Sequence, residues 1–165
     1  MENLTLPDVK AFKPASELVS PSLLAGWQTW AEMAGDKLAP SRKEIVPARF
    51  KPVLDSIFIM EVVDDGEDFR FALGGQTLVR FMNGRHHGKL LSSLPPTPYY
   101  KGMRSIFARC VKTATPVAQG PFRIVRDQFN SHRMEVLVMP LSEDGVSVSD
   151  LLGMVELKAE SARRR

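Results

Sequence analysis

The sequence is poor in the features that stabilise extracellular proteins or anchor proteins in membranes. Its 165 residues include one cysteine, Cys110, which has no second cysteine for an intramolecular disulfide. No apolar stretch approaches the roughly 18–20 residues needed to cross a bilayer. The segment from Met1 to Lys10 carries acidic side chains and lacks the apolar core of a signal peptide. We therefore expect a protein of the reducing cytoplasm, with no membrane span.

The chain also lacks a concentrated excess of positive charge. Its formal net charge of +3 comes from 22 lysines and arginines against 19 acidic residues, and the terminal run Arg163, Arg164 and Arg165 accounts for the excess. A duplex-binding domain draws much of its affinity from clustered basic side chains that neutralise phosphates. Nucleic acid is therefore not expected as a partner.

Catalytic and metal-binding signatures are missing too. The sequence has no G-x-S-x-G nucleophile elbow and no His-Glu-x-x-His zinc motif. Adjacent histidines such as His86 and His87 point in different directions, and His132 lies in a distant predicted turn, so we predict no metal site. Cys110 occupies an apolar position of a helical pattern, which favours a buried, inert thiol. The expectation is a protein that is not an enzyme.

What the sequence does contain is apolar periodicity, first in an N-terminal helix. Residues 1–19 include Pro7 and Pro14 without periodicity, and we predict a flexible arm there. Ser20-Pro21 is typical of a helix start, because serine caps free amides and proline suits the first turn. Apolar residues then recur at helical spacing until Gly35. We predict an amphipathic helix and linker over residues 20–39.

A connector and a strand pair follow. Prolines break residues 37–54, which leaves room for at most one short helical piece from Glu44 to Phe50. Ser56 to Val63 is rich in β-branched and aromatic residues, and apolar residues alternate from Asp68 to Leu73. Asp65-Gly66 between these segments indicates a tight turn. The two segments are predicted to form a hairpin.

The remaining chain is predicted as short helices followed by strands. Residues 76–93 are interrupted by glycines and favour several short helical turns. A longer helix is predicted from Tyr99 until Thr115-Pro116 ends it. Three alternating or apolar segments are predicted strands, namely Phe122 to Phe129, Arg133 to Leu141 and Leu151 to Lys158. The fold class is α+β, with a five-stranded antiparallel sheet and short helices on one face.

Four segments resemble motifs of a bacterial single-domain PAS family. They are GGQTLVRFMNGRHHGKLL (Gly74 to Leu91), PVAQGPFRIV (Pro116 to Val125), MEVLVMPLSEDG (Met134 to Gly145) and LLGMVELK (Leu151 to Lys158). One departure is His86-His87, where family members usually carry an acidic residue. The resemblance covers residues 40–158, which leaves 159–165 as a basic tail. It implies a sensory or regulatory module rather than an enzyme.

The resemblance also implies a pocket between the sheet and the short helices. The residues expected around it are Phe58, Met60, Phe71, Leu78, Phe81, Met82, Leu90, Phe107, Val136 and Val138, with Arg85 and Tyr99 near its mouth. A lining rich in aromatic residues and methionine suits a small apolar ligand. The same residues can instead fill the space as a closed core, and the sequence leaves both possibilities open.

The N-terminal helix is the predicted partner surface. Leu23, Trp27, Trp30 and Ala34 share its apolar face, which is expected to form a homodimer or bind a partner. The alternative is that the helix covers its own sheet. We predict a regulatory protein that acts through contacts with a signalling protein and holds no resident cofactor. A small apolar ligand is expected to control these contacts. A haem- or other cofactor-binding sensor and a small α+β enzyme are the alternatives.

Overall fold

An antiparallel sheet organises the chain in the computed structural model, which describes residues 12–125 and 131–160. Within these ranges the sheet has six strands in the order β1-β4-β5-β6-β2-β3. The strands are β1 (Phe12–Lys13), β2 (Ile57–Val63), β3 (Asp68–Gly74), β4 (Val117–Val125), β5 (Ser131–Leu141) and β6 (Asp150–Glu160). The helices are α1 (Pro21–Ala34), α2 (Gln76–Phe81) and α3 (Pro98–Thr113). The α+β class is confirmed, with one strand more than predicted.

The extra strand lies in the segment predicted to be a flexible arm. Phe12 and Lys13 pair with β4, and the following 3₁₀ turn buries Ala15. The buried carboxylate of Glu135 accepts hydrogen bonds from Lys13 Nζ and from two backbone amides just before α1. Residues 12–19 thus differ from the prediction because a distant side chain holds them. Residues 1–11 of the predicted arm and residues 161–165 of the predicted basic tail lie outside the described residues.

The limits of α1 follow from local chemistry, as predicted. The Ser20 side chain accepts a hydrogen bond from Leu23 N at 3.2 Å, and Pro21 begins the helix. Gly35 ends it with φ of +54°, a conformation that glycine adopts at little cost. The helix therefore begins and ends where its sequence signals lie.

The two faces of the sheet carry two apolar clusters. Helix α1 covers one face, called here the outer face, while α2 and α3 cover the inner face. The short helices thus share one face of the sheet, as expected. The connector forms 3₁₀ turns at Arg42–Glu44 and Pro47–Ser56, where at most one short helical piece from Glu44 to Phe50 was predicted. In the described part of the chain, no helix is both long and apolar enough to span a membrane.

Strand β4 begins earlier than predicted. It starts at Val117 instead of Phe122, and its register shifts between Gln119 and Phe122. The irregularity lies at Gly120-Pro121, where Gly120 has φ of +97° and a Cβ atom would lie 2.5 Å from the Met134 carbonyl oxygen. Proline and glycine argue against a strand in sequence, but a bulge accommodates both. The predicted residues 126–129 of this strand lie outside the described ranges.

Two adjacent glycines before α2 allow a matched stability test. A Cβ on Gly75 would lie 2.5 Å from the Asp55 carbonyl oxygen, whereas a Cβ on Gly74 meets nothing closer than Leu78 Cδ2 at 3.7 Å. Gly75 has φ of −70°, which alanine adopts without backbone strain. The expected cost of alanine there therefore comes from the close contact with the Asp55 carbonyl oxygen. We expect Gly75→Ala to lower the unfolding free energy by about 1–3 kcal/mol in urea denaturation. Equal losses for Gly74→Ala and Gly75→Ala would contradict this close approach.

Candidate functional site

A cavity of about 60 Å³ lies between the inner sheet face and helices α2 and α3. We call it the inner cavity. The sheet contributes Phe58, Gln119, Phe122, Met134, Val136 and Val155 to its lining, and the helices contribute Leu78, Phe81, Tyr99, Gly102, Met103, Ile106 and Phe107. Most of these side chains are apolar, so the cavity is an extension of the inner core rather than a polar cleft.

The floor of the inner cavity is a fixed aromatic arrangement. Phe58 lies across Gly153 of the neighbouring strand, where a Cβ atom would come within 1.9 Å of the ring. Phe107 packs against Phe58 and Phe69, with ring centroids 5.9 and 5.3 Å apart. Phe58, Phe69 and Phe107 are almost completely buried. The absence of a side chain at Gly153 therefore sets the position of the floor.

The mouth of the cavity is formed by half-buried side chains. Phe81 of α2 and Tyr99 of α3 meet edge to face, with ring centroids 4.9 Å apart and an interplanar angle of 87°. Gln119 and Phe122 of β4 are also half-buried lining residues. Among these described lining residues, only Gln119 and Tyr99 carry side-chain oxygen or nitrogen atoms. A ligand inside would meet apolar side chains everywhere except at Gln119 and Tyr99.

The structure separates the predicted pocket residues into the inner cavity, a second pocket and positions that line neither. Six of them meet at the inner cavity: Phe58, Leu78, Phe81, Tyr99, Phe107 and Val136. Met60 and Val138 are buried in the adjoining inner core, and Leu90 pairs with Arg70 beside β3. Phe71, Met82 and Arg85 line a second pocket at the edge of the sheet, together with Leu78. The prediction therefore assigned to one pocket residues that the fold places apart.

Several lining residues were missed at the sequence level. Met103 and Ile106 belong to the apolar stripe of α3, so the helical spacing already marked them as inward-facing. Met134 and Val155 follow from strand alternation. Gln119 precedes the predicted start of its strand, so no sequence signal placed it on the inner face.

The predicted partner surface lies against the protein's own sheet. Leu23, Trp30 and Ala34 are buried in the outer cluster, and Trp27 is half-buried beside them. The Trp30 indole Nε1 donates a hydrogen bond to the Pro140 carbonyl oxygen at 2.9 Å. These contacts match the alternative in which the helix covers its own sheet. A homodimer through Leu23, Trp27, Trp30 and Ala34 stays a prediction.

The cysteine and the histidines lie apart from the inner cavity. Cys110 is a fully buried residue of α3, and this burial raises the pKa of its thiol far above the usual range. His86 and His87 follow α2, and His132 lies in β5. Within residues 12–125 and 131–160, no group of three or more histidine, cysteine, aspartate or glutamate side chains is placed to hold a metal ion.

Comparison with known proteins gives one match. A family model described as a PAS domain matches residues 18–156. Searches among curated proteins and among solved structures found no match. The matched range includes α1, the residues that line the inner cavity, strands β2 to β5 and β6 as far as residue 156. The match confirms the resemblance that the four sequence segments indicated.

Proposed function

The chain belongs to the PAS domain family, and we propose that it senses a small apolar molecule in the inner cavity and reports its presence to a signalling protein in the cytoplasm. PAS domains are generally sensory or regulatory rather than catalytic, which supports the regulatory part of the proposal. The apolar cavity behind the Phe81–Tyr99 pair is the observation that carries the ligand part.

The lining selects ligands of low polarity. A polar group buried among Phe58, Ile106 and Val136 would lose its hydrogen bonds to water without replacement, which costs free energy. One polar group is tolerated where it can hydrogen-bond to the Gln119 side chain. We therefore propose a mainly hydrocarbon or aromatic ligand with at most one or two polar atoms.

Binding of such a ligand requires the mouth to widen. A volume of about 60 Å³ is well below the roughly 300–1,000 Å³ typical of small-molecule pockets. The Phe81–Tyr99 contact joins α2 to α3, so separating these rings moves one helix relative to the other. A ligand that binds only the widened form shifts the population toward it. Ligand binding is thereby coupled to a change of shape.

Strand β5 provides a route from the cavity to the opposite face of the sheet. Met134 and Val136 line the cavity, while Glu135 between them points to the outer face, because strand side chains alternate. Glu135 holds Lys13 and the segment before α1. We propose that displacement of β5 by a ligand loosens this segment and changes what a protein partner can bind. No observation favours the haem alternative, since the described cavity lining contains no histidine or cysteine.

The ligand part of the proposal is tested by filling the inner cavity, either with a small apolar probe or with a larger side chain. We expect indole to bind the full chain saturably in an NMR titration, with shifts at residues of α2, α3 and β5. Val136→Phe places extra volume in the inner cavity, and we expect it to weaken indole binding by about tenfold or more because the ring competes for the same space. Val146→Phe is the matched control, because Val146 is 83% exposed on a loop.

Native mass spectrometry of the same samples detects molecules retained during purification. Equal indole affinity in Val136→Phe and the unaltered protein would contradict the proposal. Phe81→Ala removes one ring of the pair at the mouth, so faster exchange of indole is expected for this variant. Circular dichroism confirms that each variant is folded before titration.

A further inference from the structure

A second pocket lies at the edge of the sheet, between β3, α2 and the loop that follows α2. Its volume is about 170 Å³, and we call it the histidine pocket. Phe71 and Leu78 contribute to its apolar floor, and the loop contributes Arg85, His86 and His87. Leu78 is the one lining residue that it shares with the inner cavity. The two pockets are thus neighbours with different chemistry.

The side chain of His86 is the unusual feature of the histidine pocket. Both ring nitrogens are buried and have no hydrogen-bond partner in the described structure. The ring packs against Phe71, with centroids 5.6 Å apart and an interplanar angle of 45°. A neutral imidazole carries one donor and one acceptor, and leaving both unpaired in a buried position is costly. A bound ligand that accepts a hydrogen bond from the protonated ring nitrogen of His86 relieves part of this cost.

The charges around the pocket determine the kind of ligand. Arg85 lines it and makes no hydrogen bond or ion pair with another described residue. His87 Nδ1 lies 2.8 Å from the Ala72 carbonyl oxygen, so this nitrogen donates its proton and fixes the ring. The described lining contains no aspartate or glutamate. A guanidinium beside an imidazole, without acidic neighbours, favours an anion, and a carboxylate fits a guanidinium in planar geometry.

The remaining lining limits the rest of the ligand. Leu78, Val79 and Met82 are apolar, and they lie next to the polar loop. Inorganic anions gain nothing from such a surface, whereas a hydrocarbon body attached to the anionic group buries apolar area there. We infer that the histidine pocket binds a small aromatic or aliphatic carboxylate. The carboxylate accepts hydrogen bonds from Arg85 and His86, and the hydrocarbon body packs on Leu78 and Met82.

The test uses benzoate and hexanoate as probes of the full chain. We expect saturable binding in NMR titrations below about 10 mM, the range typical of ligands with fewer than ten heavy atoms. Backbone amide shifts should concentrate at Phe71–Gly74 and Gly84–Gly88, and the His86 ring nitrogen signals should move. Benzamide and inorganic phosphate serve as comparison ligands, because one lacks the charge and the other lacks the apolar body.

Two variants and one control connect binding to the named side chains. His86→Phe keeps a ring against Phe71 but removes both nitrogens, and Arg85→Gln removes the charge at an exposed position. Each should weaken benzoate binding by about tenfold. Arg49→Gln, at an exposed position in a 3₁₀ turn, should leave it unchanged.

Three results would overturn the inference: no saturable binding of either carboxylate, equal binding of benzamide or phosphate, or unchanged benzoate affinity in both His86→Phe and Arg85→Gln. None of these results depends on the inner cavity. Loss of indole binding in Val136→Phe and loss of benzoate binding in His86→Phe therefore report on separate proposals.

Discussion

Replacement of Trp30 by alanine is expected to lower the free energy of unfolding by about 3–5 kcal/mol. Trp30 is 8% exposed and packs in the outer cluster between α1 and the sheet. Alanine leaves a cavity there and leaves the Pro140 carbonyl oxygen without the indole donor that now lies 2.9 Å away. Urea denaturation followed by circular dichroism measures the loss without relying on tryptophan fluorescence.

Two further variants separate the causes of this loss. Trp30→Phe keeps most of the ring but removes the indole N–H, so a loss of about 1–2 kcal/mol is expected. Trp27→Ala should cost less than half as much as Trp30→Ala, because Trp27 is only half-buried at the edge of the same cluster. Similar losses for Trp27→Ala and Trp30→Ala would show that the outer face is not packed as described.

The same samples test the predicted homodimer. If Trp27 contributes to a partner interface, Trp27→Ala should reduce the mass of the assembly in native mass spectrometry while its subunit stays folded. An unchanged mass would contradict a contribution of Trp27 to a homodimer interface.

Replacement of Glu135 by alanine is also expected to have a large effect, lowering the free energy of unfolding by about 3 kcal/mol. Glu135 is 3% exposed and accepts hydrogen bonds from Lys13 Nζ at 2.8 Å, Val19 N at 2.9 Å and Ser20 N at 2.7 Å. Without the carboxylate these donors are left unpaired, and Lys13 loses its ion-pair partner. Hydrogen exchange at the amides of Val19 and Ser20 should accelerate, because the segment before α1 is released.

The effect of Glu135 should depend on pH. Burial alone raises the pKa of this carboxyl, but hydrogen bonds from Lys13, Val19 and Ser20 outweigh it and hold the pKa below its usual value of 4.5. A carboxyl whose pKa is lower in the folded state stabilises the protein above the unfolded-state pKa. This contribution is lost as the pH falls through the lowered folded-state pKa.

The stability difference between the unaltered protein and Glu135→Gln should therefore be full at neutral pH and shrink below about pH 4.5. Denaturant titrations at several pH values measure it. Glu32→Gln is the control, because Glu32 is an exposed residue of α1 and exposed charges contribute little to stability. A difference for Glu135→Gln that stays constant into acid would contradict the proposed role of the charge.

Much of the fold was predictable because its signals are local. The Ser20 cap and Gly35 set the ends of α1, and the Asp65-Gly66 turn joins the first two long strands. The alternating apolar residues of β5 and β6 gave strands close to those observed. Each of these features depends on residues that are near one another in the sequence. Periodicity and turn chemistry therefore suffice to find them.

The candidate sites were predictable only in part. Apolar spacing found residues that face the inner side, but it did not separate the inner cavity of Phe58 and Phe107 from the histidine pocket of Arg85 and His86. Gln119 was not predicted to lie in a strand, because Gly120 and Pro121, which follow it, argue against a strand in sequence. In the structure a bulge accommodates both residues. The division between the pockets depends on how α2 lies across the sheet.

The sequence by itself determined the PAS-like order of strands and helices, the limits of α1 and the apolar nature of the inner face. Tertiary structure decided which surface α1 covers, where the inner cavity and the histidine pocket lie, and that residues 12–19 pack against the sheet. Glu135 illustrates the physical reason, because it meets Lys13 and Val19 across more than a hundred residues of chain. Such contacts exist only after the sheet has formed, and no local pattern encodes them.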